Sequence, residues 1–361
     1  MTRPRFLSAF VGFVLAAAVT VGLTPAAPAI TPPGFVSVCG TRLCLNGQPY
    51  VFTGLNIYNA NSDGSGTSKG CSYAMSTGGA LDASLSDMSG GKVFRAWFFQ
   101  GFAITNSTRD WSAFDHTLAV AQTHHFRVIV TLADQWGSCD SSLGYKPLSW
   151  YQGRYATQID PGYLTTYRQW VAAVVTRYKN NPNILMWQLV NEAEDKDSTG
   201  ACQEATAAAA LRSFTDNVGG LVRSIDPNHL VNLGTMGGGQ CGTQGGDYAK
   251  VYASPGTGVC EYHDYNHITS PMPGSTSNGL QTRINQCRTL GKPIFVGETG
   301  INTQTAGGYT QRASLFDAKF SAQFGAGVVG ELIWSWHLTG AKYDSYEVGP
   351  GDPVLALLSK Y

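Results

Sequence analysis

Eight short β-rich runs recur along the chain, at 50–59, 92–99, 127–134, 184–192, 230–236, 259–266, 293–300 and 330–337, with amphipathic helical stretches between them. Most of these runs are near-continuously apolar rather than alternating. A strand of that kind is buried on both faces, which requires a parallel sheet covered by helices. Eight such strand–helix units in succession predict an α/β fold, a closed (β/α)8 TIM barrel in a single domain over 30–361; a doubly wound sheet is the alternative. The clearest helix is expected to start at Asp160-Pro161, a capping residue followed by proline at the first helical position. Tyr163, Tyr167, Trp170, Val171, Val174 and Tyr178 then recur at spacings of three and four, and Asn180-Asn181-Pro182-Asn183 ends the pattern. Trp170 and the mid-strand Trp187 are assigned to the core.

The segment before the first strand reads as an address. Arg3 and Arg5 precede the apolar run 6–23, and Ala27-Pro28-Ala29 closes it as a small-x-small site. That is the pattern of a secretory signal peptide over 1–29, and it implies a secreted, extracellular protein. An anchor helix is the alternative, because about 18 apolar residues approach a membrane span; no charged flank follows to stop transfer. Eight cysteines, an even count in an exported chain, read as disulfides. Cys39 and Cys44 flank Gly-Thr-Arg-Leu at a hairpin turn and are expected partners. The pairing of Cys71, Cys139, Cys202, Cys241, Cys260 and Cys287 stays open. No CxxC occurs and the seven histidines show no HExxH spacing, so neither zinc nor another cofactor is expected. The Gly-rich segment 234–246 lacks the G-K-[ST] ending of a phosphate loop and reads as a loop around Cys241; 62–70 reads as a rim loop after the first strand.

Lys+Arg and Asp+Glu number 24 each, for a formal net charge of zero. A balance of that kind argues against nucleic acid as a partner, which needs a basic excess, and against docking on anionic membrane. Charged residues make up 13% of the chain, against about 25% in an average protein. A hydrophobic content of 43% excludes a disordered chain. A Gly-rich, aromatic, weakly charged monomer suits a neutral polar ligand, a polysaccharide or oligosaccharide.

In a (β/α)8 barrel the reactive residues stand at the C-terminal ends of the strands. Run four ends in Asn191-Glu192 and run seven in Gly297-Glu298-Thr299-Gly300. Two carboxyls facing one cleft are what glycosidic cleavage requires, one donating a proton while the other attacks or activates water. Arg95 and Trp97 share a face of run two by the two-residue period, and a cation there can hold a carboxylate ionised. His263 and Tyr265 share a face of run six, and Trp334 and Trp336 a face of run eight. Trp136 and Tyr58 are candidate sugar platforms, with packing as the equal alternative. No GxSxG elbow supports a serine hydrolase.

With these residues on strands two, four, six, seven and eight, the chain resembles glycoside hydrolase family 5 of the clan A barrels along its whole mature length. The resemblance implies Glu192 as acid/base and Glu298 as nucleophile. It implies Asn191 on the sugar 2-hydroxyl, Arg95 and Tyr265 orienting Glu298, His263 stabilising the acid/base side, and Trp334 as the strand-eight tryptophan. Two features depart from the family's cellulases: Ala193 follows Asn-Glu where they usually have proline, and Leu132-Ala133-Asp134-Gln135-Trp136 lacks their usual histidine. This strand end, with 95–99 and 54–58, is more similar to the family's β-mannanases. The implied activity is that of a secreted retaining endo-β-1,4-glycosidase, on β-mannan or glucomannan before β-1,4-glucan. Glu192 is expected to have a raised pKa, from desolvation and from its carboxylate neighbour. A transglycosylase using the same residues, and a non-catalytic carbohydrate-binding protein on the same barrel, are the alternatives.

Overall fold

A computed structural model describes Met1 and residues 33–361, apart from 66–70, 72, 141–142 and 266–267. Beyond Met1, the signal peptide expected over 1–29 lies outside the described residues, as does half of the 62–70 loop. Eight parallel strands form the central sheet: β1 Phe52–Asn56, β2 Val93–Trp97, β3 Arg127–Thr131, β4 Ile184–Gln188, β5 Leu230–Asn232, β6 Cys260–Tyr265, β7 Ile294–Gly300 and β8 Gly330–Ile333. Every residue in them is buried except Arg127 and Tyr265, which accounts for the continuous apolar runs. Their order is β5-β4-β3-β2-β1-β8-β7-β6, so sequence neighbours are spatial neighbours throughout. Across the seam between β5 and β6, Val231 O accepts from Gly258 N at 2.9 Å and Met236 O from His263 N at 2.8 Å. The result is the expected TIM barrel.

Helices α1 Ala80–Asp87, α2 Ser112–Thr123, α3 Tyr167–Tyr178, α4 Glu204–Phe214, α5 Asp247–Tyr252, α6 Leu280–Thr289 and α7 Tyr309–Ala326 follow β1 to β7 in turn. A 3-10 segment, Pro353–Ser359, takes the eighth place, and its Leu358 O accepts from Thr53 Oγ1 at 2.7 Å. Side chains divide into two apolar clusters. One lies between strands and helices and includes Trp170 and Trp187, as expected. The other, built on Phe52, Val93, Ile129, Met186, Phe295 and Leu332, fills the lower barrel interior. Val36 and Leu43 join that second cluster from a small antiparallel sheet, Val36–Cys39, Arg42–Leu45 and Gln48–Tyr50, which plugs the N-terminal end. The open end is therefore the C-terminal one.

Three expected boundaries move. The run 50–59 divides between the plug sheet and β1. The helix expected at Asp160 starts instead at Tyr167, where Thr166 accepts from Gln169 N and the Gln169 side chain closes a capping box. Gly162 adopts φ 84° and interrupts the helical path after Pro161, while Asp160 accepts from Trp150 Nε1 rather than capping a helix. Strand β8 stops at Ile333, so its alternation does not reach Trp336. Trp336 turns into the core, 1% exposed, and donates to Ser84 on α1 at 2.7 Å, whereas Trp334 stays half-buried at the open end.

All eight cysteines pair: Cys39 with Cys44 as expected, then Cys71–Cys139, Cys202–Cys241 and Cys260–Cys287. The 234–246 segment is a loop, tied by the Cys202–Cys241 bridge. Loop-closure entropy ranks these bridges by the chain they span. Cys71–Cys139 closes 68 residues and Cys39–Cys44 only 5. Replacing the first pair by alanine should cost about 4 kcal/mol of unfolding free energy and replacing the second about 2. Denaturant melts of the two double variants check the ranking, and equal losses would contradict it.

Candidate active site

Above the apolar floor of the barrel the strands turn polar side chains inward. Asn56, Arg95, Thr131, Gln188, Asn232 and Glu261 are all fully buried. Polar groups at that depth persist only when hydrogen-bonded, and these bond to one another. Arg95 Nε donates to Gln188 Oε1 at 2.7 Å and Nη1 to Asn56 Oδ1 at 2.9 Å. Gln188 Nε2 donates to Glu261 Oε2 at 2.7 Å, and Asn56 Nδ2 to the Gly297 carbonyl at 3.0 Å. Gly297 is required here, because a Cβ would stand 1.8 Å from Glu261 Oε1.

The two candidate carboxylates rest on this layer. Glu298, on β7 and 3% exposed, accepts from Arg95 Nη1 at 2.8 Å on one oxygen and from Tyr265 at 2.7 Å on the other. Glu192 lies beyond the end of β4 with φ 56°, a left-handed backbone that costs a side-chain-bearing residue about 1–2 kcal/mol. Its Oε1 stands 2.9 Å from His263 Nδ1 and its Oε2 accepts from Trp136 Nε1 at 2.6 Å. The β6–β7 register shifts between Tyr262 and His263, so that His263 lies opposite Glu298. As a result, His263 Nδ1 and one oxygen from each of Glu192 and Glu298 fall within 4.8 Å of one another.

The remaining expected residues converge on the same place. Asn191 is pinned from both sides: Arg95 Nη2 donates to its Oδ1, and its Nδ2 donates to Asp134 Oδ1 at 2.7 Å. Trp334 stacks on Tyr58 at 5.2 Å and 13°, with Trp97 at 6.2 Å, so Tyr58 backs the tryptophan. Trp136, hydrogen-bonded to Glu192, is 40% exposed, the barest tryptophan among the described residues.

Charge follows from these partners. Burial alone would raise Glu192, but the His263 hydrogen bond and charge, Trp136 and Arg95 together outweigh it and hold the carboxyl below its ordinary value. The expectation of a raised Glu192 is thus corrected. Its carboxylate neighbour is outweighed by an imidazole that β6 brings within hydrogen-bond reach. Glu298 is the group pushed up, by burial first and then by the charge of Glu192, against His263, Arg95 and Tyr265. Burial, then the charge and hydrogen bond of Glu298, push the Tyr265 phenol well up, so it acts as a donor. Glu192, His263 and Glu298 form a close set of possible ligand atoms, yet each already serves an internal hydrogen bond or ion pair, and the other such set among the described residues contains the bridged Cys202 and Cys241.

Four buried partners escape the strand-end reading: Asn56, Asp134, Gln188 and Glu261. Glu261 precedes His263 by two and therefore shares its face, a signal present in the sequence. Gln188 interrupts an apolar strand, which also marks it.

Paired carboxylates at the open end of a (β/α)8 barrel are the arrangement that glycosidic cleavage requires, that of a glycoside hydrolase. The sequence profile of the family described as Cellulase (glycosyl hydrolase family 5) matches residues 56–339, and the chain belongs to that family. Among its relatives, mannan endo-1,4-beta-mannosidase 8 of Oryza sativa subsp. japonica is 25% identical over 90% of this chain and 98% of that protein. Mannan endo-1,4-beta-mannosidase A of Hypocrea jecorina is 25% identical over 84% of this chain and 70% of its own. The barrel superposes on the endo-1,4-beta-mannanase from Rhizomucor miehei with a TM-score of 0.67 at 16% identity, covering 90% of this chain and 97% of that one.

The loop that carries Glu192 continues into Asp195, which is 1% exposed and whose two oxygens have no hydrogen-bond partner among the described residues. Burial, with Glu204 and Glu194 adding like charge, pushes its carboxyl up to about 9. The folded state thus keeps a proton that the unfolded chain releases near pH 4, and stability falls as pH rises between those values. Asp195→Asn removes that dependence. It should gain nothing at pH 4 and about 5 kcal/mol at pH 8. Urea melts at the two pH values measure this, and an equal effect at both would refute it.

Proposed function

We propose that the chain is a secreted, retaining endo-β-1,4-glycosidase acting on β-mannan or glucomannan in preference to β-1,4-glucan. The carrying observation is the placement of Glu192 and Glu298, whose nearest oxygens lie within 4.8 Å. Retaining enzymes hold their carboxyls about 5–5.5 Å apart, and inverting ones about 6.5–9.5 Å to admit a water. Glu298, held by Arg95 and Tyr265, attacks the anomeric carbon and forms a glycosyl-enzyme. Glu192 delivers a proton to the leaving oxygen, then takes one from the water that releases the sugar. Asn191, fixed between Arg95 and Asp134, keeps one amide hydrogen for the 2-hydroxyl at the cleaved bond. Trp334 offers an apolar face to that sugar and Trp136 to the sugar leaving beside Glu192.

Mannan is favoured because the relatives above are mannan endo-1,4-β-mannosidases, in agreement with the strand-three end Asp134-Gln135-Trp136. Export is supported by the Arg3–Arg5 and Ala27-Pro28-Ala29 pattern together with four disulfides, which persist in oxidising compartments. No helix among the described residues is long and apolar enough to cross a membrane.

Reducing-sugar release from β-mannan, glucomannan, carboxymethylcellulose, xylan and laminarin tests the assignment. The mannans should be cleaved fastest, and Glu298→Gln should lose at least about 10³-fold in kcat while still binding oligosaccharide. Proton NMR of the first products should show the β-anomer. Preserved turnover in the variant, or an initial α-anomer, overturns the mechanism.

A further inference from the structure

Both ring nitrogens of His263 face carboxylate oxygens. Nδ1 lies 2.9 Å from Glu192 Oε1 and 3.5 Å from Glu298 Oε2, and Nε2 lies 3.2 Å from Glu261 Oε1. An ionised carboxylate can only accept, and a neutral imidazole carries one N–H and one lone pair. Either neutral tautomer would therefore aim a lone pair at a carboxylate. With the carboxylates on both sides ionised, only the doubly protonated ring satisfies them.

Glu261 is the partner that makes this arrangement obligatory. It is fully buried in the polar layer above the apolar floor, where its Oε2 accepts from Gln188 Nε2 at 2.7 Å. The missing Cβ of Gly297 leaves room for it directly beneath the nucleophile. A carboxylate at that depth is costly unless a cation and a donor meet it, and His263 and Gln188 are those two groups. The contacts also form a chain, from Glu298 through Arg95, Gln188, Glu261 and His263 to Glu192, so the two reacting carboxylates are linked underneath the cleft.

We propose that Glu261 is a positioning residue that fixes His263 as an imidazolium with its Nδ1–H directed at Glu192, so that the Glu192–His263 pair stores the proton taken by the leaving group. This rests on Glu192 being the acid/base. In the first half-reaction Glu298 forms a bond to the anomeric carbon and the bond from that carbon to the leaving oxygen breaks. The stored proton passes from Nδ1 by way of Glu192 to that oxygen. In the second half a water oxygen replaces Glu298 on the carbon, and the proton it sheds returns to the pair. The charged groups facing His263 are Glu192 from the loop after β4, Glu261 on its own strand and Glu298 on β7, with Arg95 behind Glu298. Burial alone would strip the ring of its charge; Glu298, then Glu192 and Glu261, more than reverse that and push it up to about 10. The pair thus holds one proton across the neutral range while Glu192 itself is ionised most of the time.

Glu261→Gln keeps the shape and removes the charge. The test is a ¹⁵N-imidazole NMR titration of the wild-type enzyme and this variant, beside the pH profile of mannan hydrolysis. Wild-type His263 should remain doubly protonated through pH 8. In the variant its midpoint should fall by at least about one pH unit. The alkaline limb of kcat/KM should move to lower pH by the same amount, with KM little changed. A neutral His263 in the wild type at pH 7 overturns the proposal, and that measurement needs no variant. A variant with lowered activity but an unmoved midpoint and limb overturns it too, since that is what a purely structural role gives. Failure of the wild type to cleave any glycan would sink the assigned function, while the NMR titration would still judge Glu261.

Discussion

One guanidinium at the barrel axis organises the open end of this protein. Arg95 is fully buried and donates to Asn56 on β1, to Gln188 and Asn191 on β4 and its extension, and to Glu298 on β7. A planar fork with five donors can meet that many acceptors in fixed directions, and a lysine ammonium cannot. The arrangement is also self-consistent in charge. A buried cation needs Glu298, and a buried Glu298 needs the cation, so removing either leaves an uncompensated charge worth about 3–5 kcal/mol. Position and ionisation of Glu298 are therefore one problem with one solution.

A second layer of support comes from the loop after β3. Asp134 orients the Asn191 amide and Trp136 binds Glu192, while Lys146 anchors this loop by an ion pair to Asp140 at 2.7 Å. Asp134 and Asn191 are further joined as an isolated parallel bridge beyond the ends of their strands. The Cys71–Cys139 bridge ties the same loop to the one that follows β1. The barrel thus carries the ion-paired layer, and loops shape what lies above it, the usual division between scaffold and specificity.

Much of this was legible in the chain. Continuous apolar runs separated by amphipathic stretches led to the barrel, because only strands buried on both faces have that pattern. Strand ends then located Arg95, Asn191, Glu192, His263, Tyr265, Glu298 and Trp334, since the fold places reactive groups there. Depth was harder to read. The two-residue period gives the face of a strand but not the layer, so Gln188 and Glu261, one layer below the cleft, were passed over. Periodicity also failed where the strand had ended, at Trp336, and where a glycine broke the path of a helix, at Gly162. The direction of the Glu192 shift depended on His263, a contact between β6 and the loop after β4 that no local pattern encodes. Three disulfide partners were equally hidden, because folding rather than spacing brings them together.

The left-handed backbone of Glu192 has a consequence for how such an enzyme can change over generations. Asparagine and glycine accept that conformation at lower cost than glutamate, and neither would place a carboxylate in a partly buried pocket. In the proposed mechanism, replacing Glu192 by one of them removes catalysis and leaves the Trp334 face and the Asn191 amide in place. The backbone strain relieved, about 1–2 kcal/mol, offsets part of what the lost His263 and Trp136 hydrogen bonds cost. Folding therefore does little to guard this position against descent to an inert sugar-holding protein, and selection for turnover has to hold that single residue.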